Sequence, residues 1–182
     1  MAYTLVSLYF ILFPSLFAIT RAIFSEELAQ GIAIKREEKT THLHFYFHDI
    51  VAGKNATAIR IAGPQDSSIT DFGNTMMIDD PLTEGPNLTS KLIGRAQGMY
   101  AVAAQNDMLL LMVLNYAFTE GEYDGSSISI LGRNHVFDDS REMPIVGGTG
   151  AFRLASGYAL AHTIHVDMVE AIVEYHVYVT HY

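Results

Sequence analysis

The chain contains no cysteine, so no disulfide can brace its 182 residues and no thiolate is available for catalysis, redox exchange or metal binding. Positive charge is also scarce. Eleven Lys and Arg stand against 20 Asp and Glu, the formal net charge is −9, and no basic cluster occurs. Nucleic acid and anionic membrane surfaces are therefore poor partners. A phosphate-binding loop is missing as well: Gly147-Gly148-Thr149-Gly150 is glycine-rich, but no Lys-Ser/Thr follows and the chain continues toward a strand, so the segment reads as a hairpin or bulge. Stability must come from packing, and the chain is long enough for one sizeable core.

Residues 3 to 19 are dominated by Leu, Ile, Phe and Ala, and small residues Ala18, Ala22 and Ser25 follow before the acidic pair Glu26-Glu27. This reads as a secretory leader over residues 1–24, although the absence of Lys or Arg at its start leaves an uncleaved anchor as the alternative. A polar arm over residues 25–40 precedes a single domain over 41–182. Two glycosylation acceptors, Asn55-Ala56-Thr57 and Asn87-Leu88-Thr89, fall in expected loops and suit a secretory route.

Beyond the arm, short runs of Val, Ile, Tyr, Phe and Thr alternate with Gly, Pro, Asn and Asp clusters, the pattern of an all-β barrel or sandwich. Strands are expected near residues 42–51, 57–63, 72–79, 91–104, 108–119, 126–132, 152–166 and 171–180. An even number closing into an antiparallel barrel removes exposed edges. The last run alternates cleanly, with Ala171, Val173, Tyr175, Val177 and Val179 on one face and Ile172, Glu174, His176 and Tyr178 on the other. An apolar outer face points to self-association.

Period-two alternation also exposes the first candidate for chemistry. Leu43, Phe45, Phe47 and Asp49 share one face of their run, while His42, His44, Tyr46 and His48 share the other. A carboxyl on the face meant for burial has its charged form disfavoured and becomes a candidate acid. Alternatively, the strand ends there and Asp49 borders the turn Ala52-Gly53-Lys54-Asn55. The pairs Asp79-Asp80 and Asp138-Asp139 stand in turn-like stretches where adjacent acids are read as solvated. His42 and His44 have strand spacing for a metal, but no third ligand is identifiable, so they are read as outward-facing histidines and no metal is expected. Met76, Met77, Met108 and Met112 read as core filling.

Four motifs then carry a resemblance: Phe45-Tyr46-Phe47-His48-Asp49-Ile50; Phe72-Gly73 followed by Asp79-Asp80-Pro81-Leu82-Thr83; Gly94-Arg95-Ala96-Gln97-Gly98; and Val146-Gly147-Gly148-Thr149-Gly150. In this order and spacing, over about Thr41 to Tyr182, the chain resembles the dirigent proteins of plants. The resemblance implies an eight-stranded antiparallel β-barrel with a central cavity, assembled as a homotrimer and secreted to the apoplast or cell wall. It implies phenolic substrates, either phenoxy radicals made by an external laccase or peroxidase or the quinone methides that follow, and roles in phenylpropanoid metabolism and defence. It implies no cofactor.

Carried over residue by residue, the resemblance makes Asp49 the cavity acid, with Tyr100 and Arg141 beside it as the other catalytic candidates. Phe47, Val102, Asn134 and Thr163 become substrate-binding positions. Family members that couple monolignols carry a second Asp where this chain has Asn134 and a second Tyr where it has Val102. The segments Gly132-Arg133-Asn134 and Arg141-Glu142-Met143-Pro144 look like the non-lignan branch, which includes the pterocarpan synthases. Those enzymes remove water from an isoflavanol and close an ether ring through a quinone methide. Three classes of function remain: a director of radical coupling, a dehydratase acting on a closed-shell phenolic, or a phenolic-binding or wall-organising barrel without chemistry.

Overall fold

The computed structural model describes residues 37–66 and 68–182; the leader and most of the arm lie outside the described residues. Nine strands follow in chain order: β1 (Lys39–Ile50), β2 (Ala58–Ala62), β3 (Thr75–Thr83), β4 (Leu92–Val102), β5 (Leu109–Phe118), β6 (Ser127–His135), β7 (Arg141–Thr149), β8 (Ser156–Val166) and β9 (Glu170–His181). All neighbours are antiparallel, in the order β1-β9-β8-β7-β6-β5-β4-β3-β2, and an additional β1–β3 pairing closes the wall. Eight strands thus form the closed barrel, and β2 lies outside it as a short edge on β3.

Three expectations are corrected here. Residues 57–63 were read as a barrel strand, but β2 does not belong to the closure. Residues 141–149 were read as turn and loop, but they form β7, which pairs with both β6 and β8. The glycine-rich segment is indeed bulged: the β6–β7 register steps from Ser129↔Gly147 to Ile130↔Ile145, leaving exposed Val146 without an opposite residue. At Gly148 a Cβ would fall 2.5 Å from the Ser127 carbonyl oxygen, so only glycine permits this approach. The arm also ends earlier than expected, since Lys39 and Thr40 already pair with His181 and Thr180.

The alternation read on β1 and β9 sorts their side chains as physics requires. Phe45, Phe47, Val173, Tyr175, Val177 and Val179 are buried inside the barrel. At the end where β1 begins and β9 finishes, Phe45, Tyr116, Phe118, Phe152 and Tyr175 form a plug of mutually packed rings. The Phe45 ring meets Tyr116 edge-on at 5.2 Å and stacks on Tyr175 at 5.8 Å. Aromatic pairs in such geometries add to the gain from burial alone. Open space inside the barrel lies toward the other end, where β1 finishes and β5 begins.

Phe45→Ala removes the ring at the centre of this plug, and it is expected to cost about 3–5 kcal/mol of unfolding free energy. Urea denaturation followed by tyrosine fluorescence checks this. A loss below about 1 kcal/mol would mean that the plug does not support the barrel.

Candidate functional site

A cavity of about 230 Å³ occupies the open half of the barrel and is lined chiefly by apolar groups, among them Phe47, Leu110, Met112, Val136, Val173 and Tyr175. This lies just below the usual size range of ligand pockets, and the combination of apolar walls with a few polar groups is typical of them. The polar groups are Thr70 and, from the positions singled out in the sequence, Asp49, Tyr100, Asn134, Arg141 and Thr163. Five residues named from sequence therefore converge, together with Phe47. Val102 is buried in the core but does not line the cavity. Of the four methionines, Met76 is core, Met108 and Met112 line the cavity, and Met77 faces outward, contrary to its reading as core.

Asp49 lies within β1, one residue from its end, and faces inward as the alternation requires. The Tyr100 hydroxyl, projected from β4, donates to its Oδ2 at 2.8 Å, whereas its buried Oδ1 has no hydrogen-bond partner. Burial pushes the carboxyl up to about 6, and the Tyr100 hydrogen bond only partly opposes this. Tyr100 itself is raised well above an ordinary phenol, first by burial and then by the neighbouring carboxylate. An acid that titrates near neutrality and presents one bare oxygen is equipped to give or take a proton.

Round the wall, Arg141 opens β7 and points inward, 4% exposed. Its Nε donates to Asn134 Oδ1 at 3.1 Å, Nη2 to Thr163 Oγ1 at 2.8 Å and Nη1 to the Asp138 carbonyl at 3.4 Å. These partners are an amide, a hydroxyl and a backbone carbonyl rather than a carboxylate. Burial lowers the guanidinium from its usual value, opposed by the fields of Tyr175, Asp138 and Asp139. It remains a cation at any ordinary pH, with charge to spare for an anionic ligand oxygen.

Asp80 was missed. Its stretch reads as a solvated turn, yet β3 runs through it to Thr83, and Asp80 is 0% exposed. The signal was present: Met76, Ile78, Asp80 and Leu82 alternate inward as Leu43, Phe45, Phe47 and Asp49 do. The Thr57 hydroxyl donates to Asp80 Oδ1, while Oδ2 is buried with no hydrogen-bond partner. Burial, then the Asp49 charge, pushes this carboxyl up to about 8. Its neighbour Asp79 is exposed and takes a hydrogen bond from Arg95, so the pair divides into one solvated and one buried acid. Asp138 and Asp139 are exposed as expected.

The outward histidines also gain company that sequence spacing did not reveal. His44 Nε2 meets Glu174 Oε1 at 2.8 Å, and His44, Glu174 and His176 bring their ligand atoms within 4.8 Å of one another on the outer face. The antiparallel β1–β9 register, His44↔His176 and Tyr46↔Glu174, makes this group. His48 shares their side of β1 but is buried, with Nε2 at 2.7 Å from Thr83 Oγ1.

Both raised carboxyls hold protons at a pH where the unfolded chain, with carboxyls near about 4, has lost them. Unfolding between those values releases protons, so stability falls as pH rises from about 4 through 8 and levels off above. Asp80→Asn is expected to flatten the upper part of this decline and to raise the melting temperature at pH 8. Thermal denaturation across that range checks both.

A family model described as Dirigent-like protein matches residues 40–180. Dirigent protein 1 of Arabidopsis thaliana is 51% identical over 148 residues, covering 80% of this chain and 81% of that protein. Pterocarpan synthase 1 of Glycine max is 48% identical over 172 residues and 92% of each chain. The solved structure of a pterocarpan synthase dirigent protein superposes with a TM-score of 0.77 at 50% identity, covering 81% of this chain and 87% of that one. The barrel, the motifs that line it and these relatives agree: the chain belongs to the dirigent family.

Proposed function

We propose that this dirigent protein converts a closed-shell phenolic alcohol into a cyclic ether through a quinone methide, in the manner of a pterocarpan synthase. The observation that carries the reading is the division of the cavity wall, with a neutral-range acid at Asp49 and, at Arg141, a buried cation hydrogen-bonded to neutral groups. The similarity to pterocarpan synthases supports it.

In this reading the substrate is an isoflavanol. Asp49 gives its proton to the departing hydroxyl, the carbon–oxygen bond breaks and water leaves. The phenolic O–H conjugated to that carbon gives its proton to solvent water, which returns one when the phenol is restored; the quinone methide forms, and Arg141 steadies the negative charge on its oxygen. A second phenolic hydroxyl of the same molecule adds to the methide carbon and closes the ring. Its proton goes to the Asp49 carboxylate, and the carbonyl regains a proton as the phenol is restored. The balance is isoflavanol to pterocarpan plus water, so no oxidant is consumed. Tyr100 fixes the carboxyl through Oδ2, while Phe47 and Tyr175 line the cavity with rings.

The leader, with Asn55 and Asn87 both exposed in turns, supports a secreted and glycosylated protein. A homotrimer is supported by the outer wall. Ile59, Met77, Met99, Val113 and Leu131 face one another in direct register across β2 to β6, an exposed apolar row 36–60% accessible at each residue. Such a row on a monomer marks an association face.

Two outcomes follow. Purified protein incubated with isoflavanol and no oxidant is expected to yield one pterocarpan enantiomer on chiral chromatography, and Asp49→Asn to lower turnover about 10²–10⁴-fold with the barrel intact. Product control only in the presence of a laccase would instead favour radical coupling. Met99→Lys with Val113→Glu is expected to give monomers in analytical ultracentrifugation, and an unchanged trimer would place the interface elsewhere.

A further inference from the structure

The β1–β3 seam consists of two residue pairs, Tyr46↔Thr83 and Phe47↔Leu82. Extended by two residues, the same antiparallel register sets Asp49 opposite Asp80, both on the inward side. Direct pairing stops there because the chain leading into β2 enters between the strands. Thr57 N donates to the Ile50 carbonyl, and Asp79 N donates to the Thr57 carbonyl. The Thr57 hydroxyl accepts from Ile50 N at 3.2 Å and donates to Asp80 Oδ1. Two buried carboxyls thus remain, each with one oxygen engaged, by Tyr100 or by Thr57, and one oxygen bare.

We propose that Asp80 is a positioning residue for the acid site, a second carboxyl that shares one proton with Asp49 across the β1–β3 seam. The proposal deepens the reading of Asp49 as the acid and rests on it for its catalytic consequence. Two buried carboxyls cannot both ionise cheaply, so the last proton belongs to the pair. The groups that set its field are Asp49 on β1, Asp79 on β3, Tyr100 and Arg95 on β4 and Tyr175 on β9, with Arg95 outside and engaged by Asp79. The only cation among these acts from the far side of the wall, so the pair keeps its proton at neutral pH. Asp80 does not line the cavity, and it reaches the substrate only through Asp49.

The substrate-free test is 13C NMR titration of protein labelled at the aspartate carboxyl carbon. Wild type is expected to show two coupled buried titrations, near pH 6 and near pH 8, and Asp80→Asn a single one near 6. Thr57→Val removes the hydroxyl that favours the charged form of Asp80, so it is expected to move the upper titration higher while both carboxyls remain. Two independent titrations, or an upper one unmoved in Thr57→Val, would overturn the pair. In turnover of isoflavanol, the alkaline limb of kcat/KM is expected near pH 8 in wild type and about two units lower in Asp80→Asn. Coupled titrations without any turnover would sink the proposed reaction and leave the pair standing. Turnover whose alkaline limb ignores Asp80→Asn would sink the pair's role and leave the reaction standing.

Discussion

The narrowest join in the barrel governs the rest. Every other neighbouring pair in the closed wall is matched over at least four residue pairs, whereas β1 and β3 meet over two. A longer seam would hydrogen-bond the backbone on both sides of Asp49 and Asp80 and leave no place for the Thr57 chain. Because the strands separate, β2 hangs outside the closure, its entry lies between them, and two inward carboxyls are each left with one buried oxygen that has no hydrogen-bond partner. Closing the sheet removes its edges, and the site occupies the place where that closure is least complete.

The two ends of the barrel divide the remaining tasks. Rings fill the end where β1 begins, so the hydrophobic gain and shape specificity of the fold are concentrated there, with Tyr175 reaching from plug to cavity wall. The cavity end is thereby free to hold groups that cost stability. Desolvated acids and a guanidinium without a carboxylate partner are unfavourable in themselves. They persist because the plug and the continuous ladder hold the strands that carry them.

How much of this was legible depended on local competition between signals. The alternation in β9 sorted Ala171 to Val179 as the structure has them but stopped short of buried His181, and at Asp49 the alternation in β1 competed with the turn signal at residues 52–55 until the strand was seen to run to Ile50. In β7, the Gly147-Gly148-Thr149-Gly150 run spoke for a hairpin or bulge, and pairing with β6 and β8 made a strand of residues 141–149. Because β2 was counted in its place, the number of barrel strands came out right from a partly wrong set. Asp80 was obscured in the same way: adjacent acids before Pro81 resemble a turn, although their spacing from Met76 and Ile78 carried the inward period. Arg141, Asn134 and Thr163 had no periodic signature of their own, and only the resemblance linked them. Their hydrogen bonds depend on β6, β7 and β8 lying side by side, which no local pattern encodes.

Asn134 changes meaning once those bonds are seen. Read against relatives with an aspartate there, it is the loss of an acid. In this barrel it accepts from Arg141 Nε, and an aspartate in its place would neutralise that guanidinium with a buried ion pair. The neutral amide holds the arginine in position and leaves its charge for the ligand. The acid function meanwhile sits on the β1–β3 side with Asp49 and Asp80. Cation and acid are thus separated across the cavity rather than paired within it. That polarity suits a substrate with one developing phenolate and one leaving hydroxyl, and it offers less to a symmetrical product with two equivalent quinone-methide carbonyls.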